Sequence, residues 1–252
     1  MHLSTNELFH FTNYKNLNLI IQTKAFIPKF NLEYTFLSDS FQRKAILLPI
    51  PMVCFCDIPY EQSDNHRNRY GHCGIVLKEK WKLNKGLNPV FYVQKDSFIA
   101  NSFSFLFSMI DDYKQIIRNK NNSTETQLTV AKTGHNLTYI SFFIKQFENK
   151  KVQKVYYEFS EENCYEERKF YDEREWRYVP FEADNKNELI ISPEIFQDKQ
   201  RLQLEQDKIS KYKLTFEQDD IEYLIVENKE QAIELEKVIN RIFSKEIEIR
   251  IN

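Results

Sequence analysis

Glycine is nearly missing from this chain, with four residues in 252. That scarcity argues against two large classes at once. Neither the P-loop pattern nor the dinucleotide-binding Gly fingerprint occurs, so a Walker-type ATPase and a Rossmann enzyme are disfavoured. Cysteine is sparse as well. Cys54, Cys56, Cys73 and Cys164 lack the density of a disulfide framework, and a reducing cytoplasm is expected. No apolar run approaches the roughly 20 residues of a membrane span. The polar opening Met1–Asn6 does not read as a secretory leader, and no membrane partner is expected. A net charge of −2 gives no global pull toward nucleic acid or lipid. No Ser elbow and no Cys–His pair with local context is present, so nucleophilic hydrolysis is unsupported.

What is abundant is aromatic character, 15% of the chain, on an ordinary apolar background. The length suffices for one sizeable core. A domain over residues 1–192 is expected, with 193–252 packing on it. Local patterns predict a strand over 7–12 and a helix over 14–25, where Tyr14, Leu17, Ile20, Ile21 and Ala25 recur at helical spacing. Residues 26–50 read as irregular, Met52–Ile58 as a strand ended by Pro59, and 60–71 as a polar loop. Strands at 73–78 and 89–94 and helices at 96–118 and 136–149 follow, the helices separated by a nickable loop at 119–126. Strands at 152–159 and 168–180 bracket an acidic turn. A charged connector near 193–210, helical or extended, leads to a strand at 221–227, a helix at 229–243 and a strand at 246–251. Strands, then helices, then strands make an α+β class with a mostly antiparallel sheet.

Three constellations could carry chemistry. Read as a strand, the run Phe170–Pro180 puts Glu173, Glu175 and Arg177 on one face and Arg174, Trp176 and Tyr178 on the other. Such a face is either a solvated Glu–Arg ladder on an edge strand or a working carboxylate pair. His10 and Thr12 share a face of the first strand and could together grip a ribose diol or an amide. The alternative is a purely structural histidine. The amphipathic helix that follows would offer its N-terminal amides to phosphate. Third, Arg67, Arg69, Lys78, Lys80, Lys82 and Lys85 interleave with Tyr70 and Trp81, either as a nucleic-acid contact strip or as a solvated face. Cys54 and Cys56 lack zinc-knuckle spacing, so they read as buried small hydrophobes and no metal is expected.

Five blocks, Leu8–Thr12, Pro51–Pro59, Tyr70–Ile75, Asn88–Tyr92 and Tyr171–Pro180, together resemble the AbiGi-type abortive-infection family of bacterial phage-resistance proteins. The resemblance spans roughly residues 7–180. It implies a phage-defence role, as an antitoxin partnering a nucleotidyltransferase-like toxin. On that non-catalytic reading the Glu-rich 158–175 stretch is the binding face.

His10-x-Thr12 followed by a helix and a late strand Glu is also similar to ADP-ribosyltransferases, including DarT-type DNA-modifying toxins and RNA 2′-phosphotransferases. This second resemblance implies a split sheet with flanking helices, and NAD as substrate. It implies that His10 and Thr12 hold the nicotinamide-side ribose and that Glu175, beside Glu173, is catalytic. Phe55 and Tyr70 would wall the nicotinamide, with Arg67 and Arg69 as further NAD contacts. The acceptor would be RNA, DNA or protein. The sequence departs from the pattern where a helix-terminal Gly is expected, since Lys24-Ala25-Phe26 stands there.

Overall fold

A computed structural model of the chain describes residues 7–35, 46–94, 97–106, 109, 123–148, 169–180 and 189–252. The elements are β1 (Glu7–Thr12), α1 (Tyr14–Thr23), β2 (Ala25–Phe26), β3 (Lys29–Thr35), β4 (Ile46–Cys56), α2 (Asp64–Tyr70), β5 (Cys73–Lys78) and α3 (Glu79–Asn84). Next come β6 (Asn88–Pro89), β7 (Phe91–Val93), α4 (98–106), α5 (Thr124–Ser141), β8 (Ile144–Gln146) and β9 (Glu175–Tyr178). The last are α6 (Pro193–Gln197), α7 (Lys199–Ile209), β10 (Leu214–Thr215), β11 (Ile221–Val226), α8 (Lys229–Ile242) and β12 (Ile249–Ile251).

The class is α+β, with helices flanking a mixed sheet. The strand order is β12-β11-β5-β1-β4-β9-β6, with β3 added on β4. Its described pairs are antiparallel except β11 with β12, and a separate β7–β8 pair is parallel. β5 lies inside the sheet between β11 and β1, and its first five residues are all buried. On one face Leu8, Ile75, Leu77 and Leu224 pack against Leu17 and Ile21 of α1 and Leu235, Val238 and Ile239 of α8. Each such side chain contributes about 1.5–3 kcal/mol. The opposite face carries Phe9, Phe11, Cys56, Val76, Tyr223 and Ile225. Residues 221–251 therefore complete the same sheet that the first strand begins.

α1 is capped by Asn13, whose side chain accepts from the Asn16 amide, and it ends at Lys24. Lys24 adopts the left-handed conformation, φ 49°, that usually selects glycine. Its amide bonds the Ile20 and Ile21 carbonyls, and its ammonium lies 4.8 Å from the Phe243 ring centre. A cap bond and a cation–π contact offset the cost of a lysine there.

Several local expectations are corrected. Residues 29–35 and 46–56 form paired strands, although the prolines made 26–50 look irregular. Pro49 and Pro51 lie opposite Leu32 and Phe30, two positions apart. Their missing N–H groups therefore fall on a single edge of β4, which a strand tolerates. The polar loop expected at 60–71 holds a 3-10 turn at Tyr60–Gln62 and then α2. Thr124–Thr126, expected within a nickable loop, form the first turn of α5 under a Ser123 cap. Ile144, expected on a helix face, is in β8 instead. The charged connector, by contrast, takes the helical one of its two expected forms, as α6 and α7. The strand expected at 152–159 and the acidic turn at 160–167 lie outside the described residues.

Candidate functional site

β1 and β4 pair only at Phe9 and Cys56. Beyond that point their main-chain ladder stops, and a cavity of about 690 Å³ opens between them. That volume is within the range of small-molecule sites. His10 bridges the gap with a side chain: its Nδ1 lies 2.8 Å from the Cys54 carbonyl oxygen. A carbonyl only accepts, so Nδ1 carries the proton and Nε2 is left as an acceptor in the neutral ring.

The cavity gathers His10 and Thr12 from β1, Phe55 from β4, His66 and Tyr70 from α2, and Glu173 and Glu175 from the late segment. Six of the eight residues singled out from sequence thus meet in one place. They do so from opposite sheet faces, because the interrupted pairing lets the cavity reach both.

The late segment is not the continuous strand that was expected. Phe170–Glu173 is a 3-10 turn, Arg174 has φ 43°, and the strand starts at Glu175. The left-handed residue swings Glu173 round to the side of Glu175. Nor is β9 a solvated edge, since it lies between β4 and β6. Trp176 and Tyr178 pack on the main core, while Glu173, Glu175 and Arg177 are all buried.

These charges belong to one connected network. Arg177 Nε donates to Glu175 Oε1 at 2.6 Å, and its Nη1 donates to the Phe142 carbonyl at 2.7 Å. Arg177 Nη2 lies 2.9 Å from Glu33 Oε2. Lys145 Nζ donates to Glu175 Oε2 at 2.7 Å and to Glu173 Oε2 at 2.8 Å. Burial alone would raise the Glu175 pKa, but the Arg177 and Lys145 charges outweigh it and hold the carboxyl well below the usual range. Lys145 is likewise desolvated, yet its three glutamate neighbours keep it charged. Sequence reasoning missed Lys145 and Glu33. Lys145 fell in an expected helix and Glu33 in an expected irregular stretch, so neither had an assigned face.

Burial pushes the His10 imidazole below its ordinary value, with Lys29 adding and the Cys54 carbonyl opposing. In the window between the lowered folded value and the ordinary value near 6.5, the unfolded chain binds more protons than the folded one. Stability should therefore fall as pH drops through that window. Urea midpoints at pH 7.5 and 5.5 would measure this slope, and His10→Gln should flatten it.

Two expected NAD contacts do not reach the cavity. Arg67 turns away to Tyr60 (2.7 Å), Asp64 and Asn252, and it stacks on the Tyr60 ring. Arg69 is exposed on α2 and outside the cavity lining. The spacing misled because α2 is a helix, which turns His66 and Tyr70 toward the cavity and the arginines elsewhere. The basic strip also breaks up. Trp81 is buried and donates to the Thr215 carbonyl, and Lys82 is buried beside Glu79 and over the Trp176 ring. The cavity follows α1 from Asn16 to Thr23, and the first-turn amide of Asn16, expected to meet phosphate, is taken by the Asn13 side chain. Among the described residues, no His, Cys, Asp and Glu cluster could hold a metal ion, and no helix is long and apolar enough to cross a membrane.

Fold and site together define an α+β protein with a ligand-sized, mostly apolar cavity that carries a few charged and polar groups, let into a mixed sheet. A family model described as "Putative abortive phage resistance protein AbiGi, antitoxin" matches residues 24–227. A curated relative, the "Abortive phage resistance protein AbiGi" of Lactococcus lactis subsp. cremoris, is 30% identical over 244 residues, covering 88% of this chain and 89% of the relative. The chain belongs to the AbiGi family of abortive phage resistance proteins. No solved structure matches it.

Proposed function

We propose that this chain acts in anti-phage defence as an ADP-ribosyltransferase-like enzyme, cleaving NAD and transferring ADP-ribose to a nucleic acid or protein. The observation that carries the reading is the convergence of His10, Thr12, Tyr70, Glu173 and Glu175 on one cavity. His10 Nε2 and the Thr12 hydroxyl hold the ribose on the nicotinamide side. Tyr70, half exposed on α2, stacks on the nicotinamide. Phe55 is packed among His10, Phe26 and Trp81, so it stiffens the wall rather than stacking freely.

As the bond from ribose to nicotinamide breaks, its electron pair leaves with nicotinamide and positive charge develops on the ribose. Glu175, held ionised by Arg177 and Lys145, opposes that charge without reorganising. The acceptor then bonds the same ribose carbon and gives up its proton to Glu173. In this scheme Arg177 and Lys145 are positioning residues.

A second reading is supported by a specific observation. Both Glu175 oxygens are already bound, the pattern of a structural cluster, and the matching family description names an antitoxin. On this view the chain binds a nucleotidyltransferase-like toxin and catalyses nothing.

The test is nicotinamide release and label transfer from labelled NAD, with single-stranded DNA, RNA and lysate as acceptors. Glu175→Gln and Tyr70→Ala are compared with the parent, each checked for folding by circular dichroism. The expected result is a loss of at least a hundredfold for Glu175→Gln and about tenfold for Tyr70→Ala. Tyr70→Ala keeps the test valid should the buried substitution unfold the protein. A folded parent that releases no nicotinamide with any acceptor, yet captures its neighbouring toxin, would establish the antitoxin reading instead.

A further inference from the structure

The cavity wall formed by β3 carries a charge gradient. Lys29, Asn31 and Glu33 alternate along the strand and all line the cavity. Four positions of extended chain separate Lys29 from Glu33, a span of about 13 Å. At the glutamate end lie Glu33, Glu173, Glu175 and their cations. Lys145, the other lysine lining the cavity, is committed there to Glu173 and Glu175. Lys29 is different, because it makes no ion pair among the described residues.

Its backbone is nonetheless built in. Gln206 of α7 reaches across to donate to the Pro28 carbonyl and to accept from the Phe30 amide at 3.2 Å. One side chain thus clamps the residues on either side of Lys29, and Phe30 is buried beneath. Lys29 is solvent-exposed at a fixed point of the lining of a cavity that otherwise lacks an uncommitted lysine or arginine among its lining residues. At the N-terminus of α1 the Asn16 amide is already taken by the Asn13 side chain.

We propose that Lys29 is the phosphate-binding residue of this cavity, and that its ligand is a nucleotide lying along β3 with phosphate at Lys29 and its cationic or hydroxyl-rich end at Glu33 and Glu175. The proposal deepens the NAD reading and rests on it for the identity of the far end. α7 acquires a role in the site, since its Gln206 sets where the lysine stands.

The experiment is calorimetric titration of the full chain and of Lys29→Gln and Lys29→Arg with NAD, ADP and nicotinamide riboside. Lys29→Gln should weaken NAD and ADP about tenfold or more, as loss of a charge-assisted bond does. Nicotinamide riboside, which has no phosphate, should change less than twofold. Lys29→Arg should restore most of the affinity. NAD binding to the parent should weaken with added salt, and this dependence should flatten in Lys29→Gln. Equal NAD and ADP affinities for parent and Lys29→Gln would overturn the subsite, as would an equal loss of all three ligands. A parent that binds ADP through Lys29 but not NAD would keep the subsite and remove the NAD reading. Binding of neither phosphate ligand would remove both.

Discussion

Replacing Arg177 with methionine is expected to lower the unfolding free energy by about 3–5 kcal/mol. Arg177 has no exposed surface and holds Glu175, Glu33 and the Phe142 carbonyl at once. Methionine fills similar space but leaves Glu33, Glu173 and Glu175 with Lys145 as their only cation in the network. Uncompensated buried charge is the main penalty, and the orphaned Phe142 carbonyl adds to it. Urea unfolding at pH 7.5 measures the loss, and a change below about 1 kcal/mol would contradict the network as described. Adding Glu175→Gln to Arg177→Met should cost much less than the sum of the two single changes, because the partners act as a unit.

The same network sets the response to acid. Glu175 has its folded pKa depressed, so its contribution is fully present above the ordinary carboxylate value. It is lost as pH falls through the lowered folded one. Arg177→Met removes the main charge that depresses it, so acid unfolding of the variant should begin at higher pH than in the parent.

Gly71→Ala is expected to cost about 3 kcal/mol and to impair ligand binding as well. Gly71 ends α2 at φ 123° and ψ 157°, a conformation that side-chain-bearing residues rarely adopt. A Cβ there would stand 2.3 Å from the Thr12 carbonyl oxygen and 2.8 Å from the Asn13 nitrogen. Both neighbours are backbone, so neither yields cheaply. They also join the strand bearing His10 and Thr12 to the capping residue of α1. Relief of the clash must push α2, with His66 and Tyr70, away from that strand. Gly86→Ala is the control. At φ 67° it bears backbone strain alone, since nothing lies within 4 Å of its Cβ, and about 1 kcal/mol is expected. Thermal melts and NAD titrations of both variants measure the contrast. Equal effects of the two substitutions would show that the Thr12 contact is unimportant.

The scarcity of glycine gives Gly71 its weight: one of four such residues in the chain stands where α2 meets the first strand. Lys24 shows the opposite case. A left-handed cap was made without glycine, because its amide and ammonium both found partners.

Local pattern alone specified the α+β class, the first strand and helix, β5, β11 and α8, since each carries its own hydrophobic period and caps. It also determined most of the candidate residues, because His10, Thr12, Phe55, Tyr70, Glu173 and Glu175 are chemical types in marked local patterns. The rest depended on long-range contacts. Whether a Glu–Arg run is solvated or buried depends on what lies beside it, and β9 is flanked by β4 and β6. The partners of Glu175 are Lys145 and Arg177, Glu33 binds the same two cations, and no local spacing links positions 33 and 145 to it. Arg67 and Arg69 share the composition of a phosphate site, yet the helical turn of α2 directs them away from it. Periodicity reports which face of an element is apolar. It does not report which element closes over that face, and the cavity is defined by where the pairing of β1 and β4 ends.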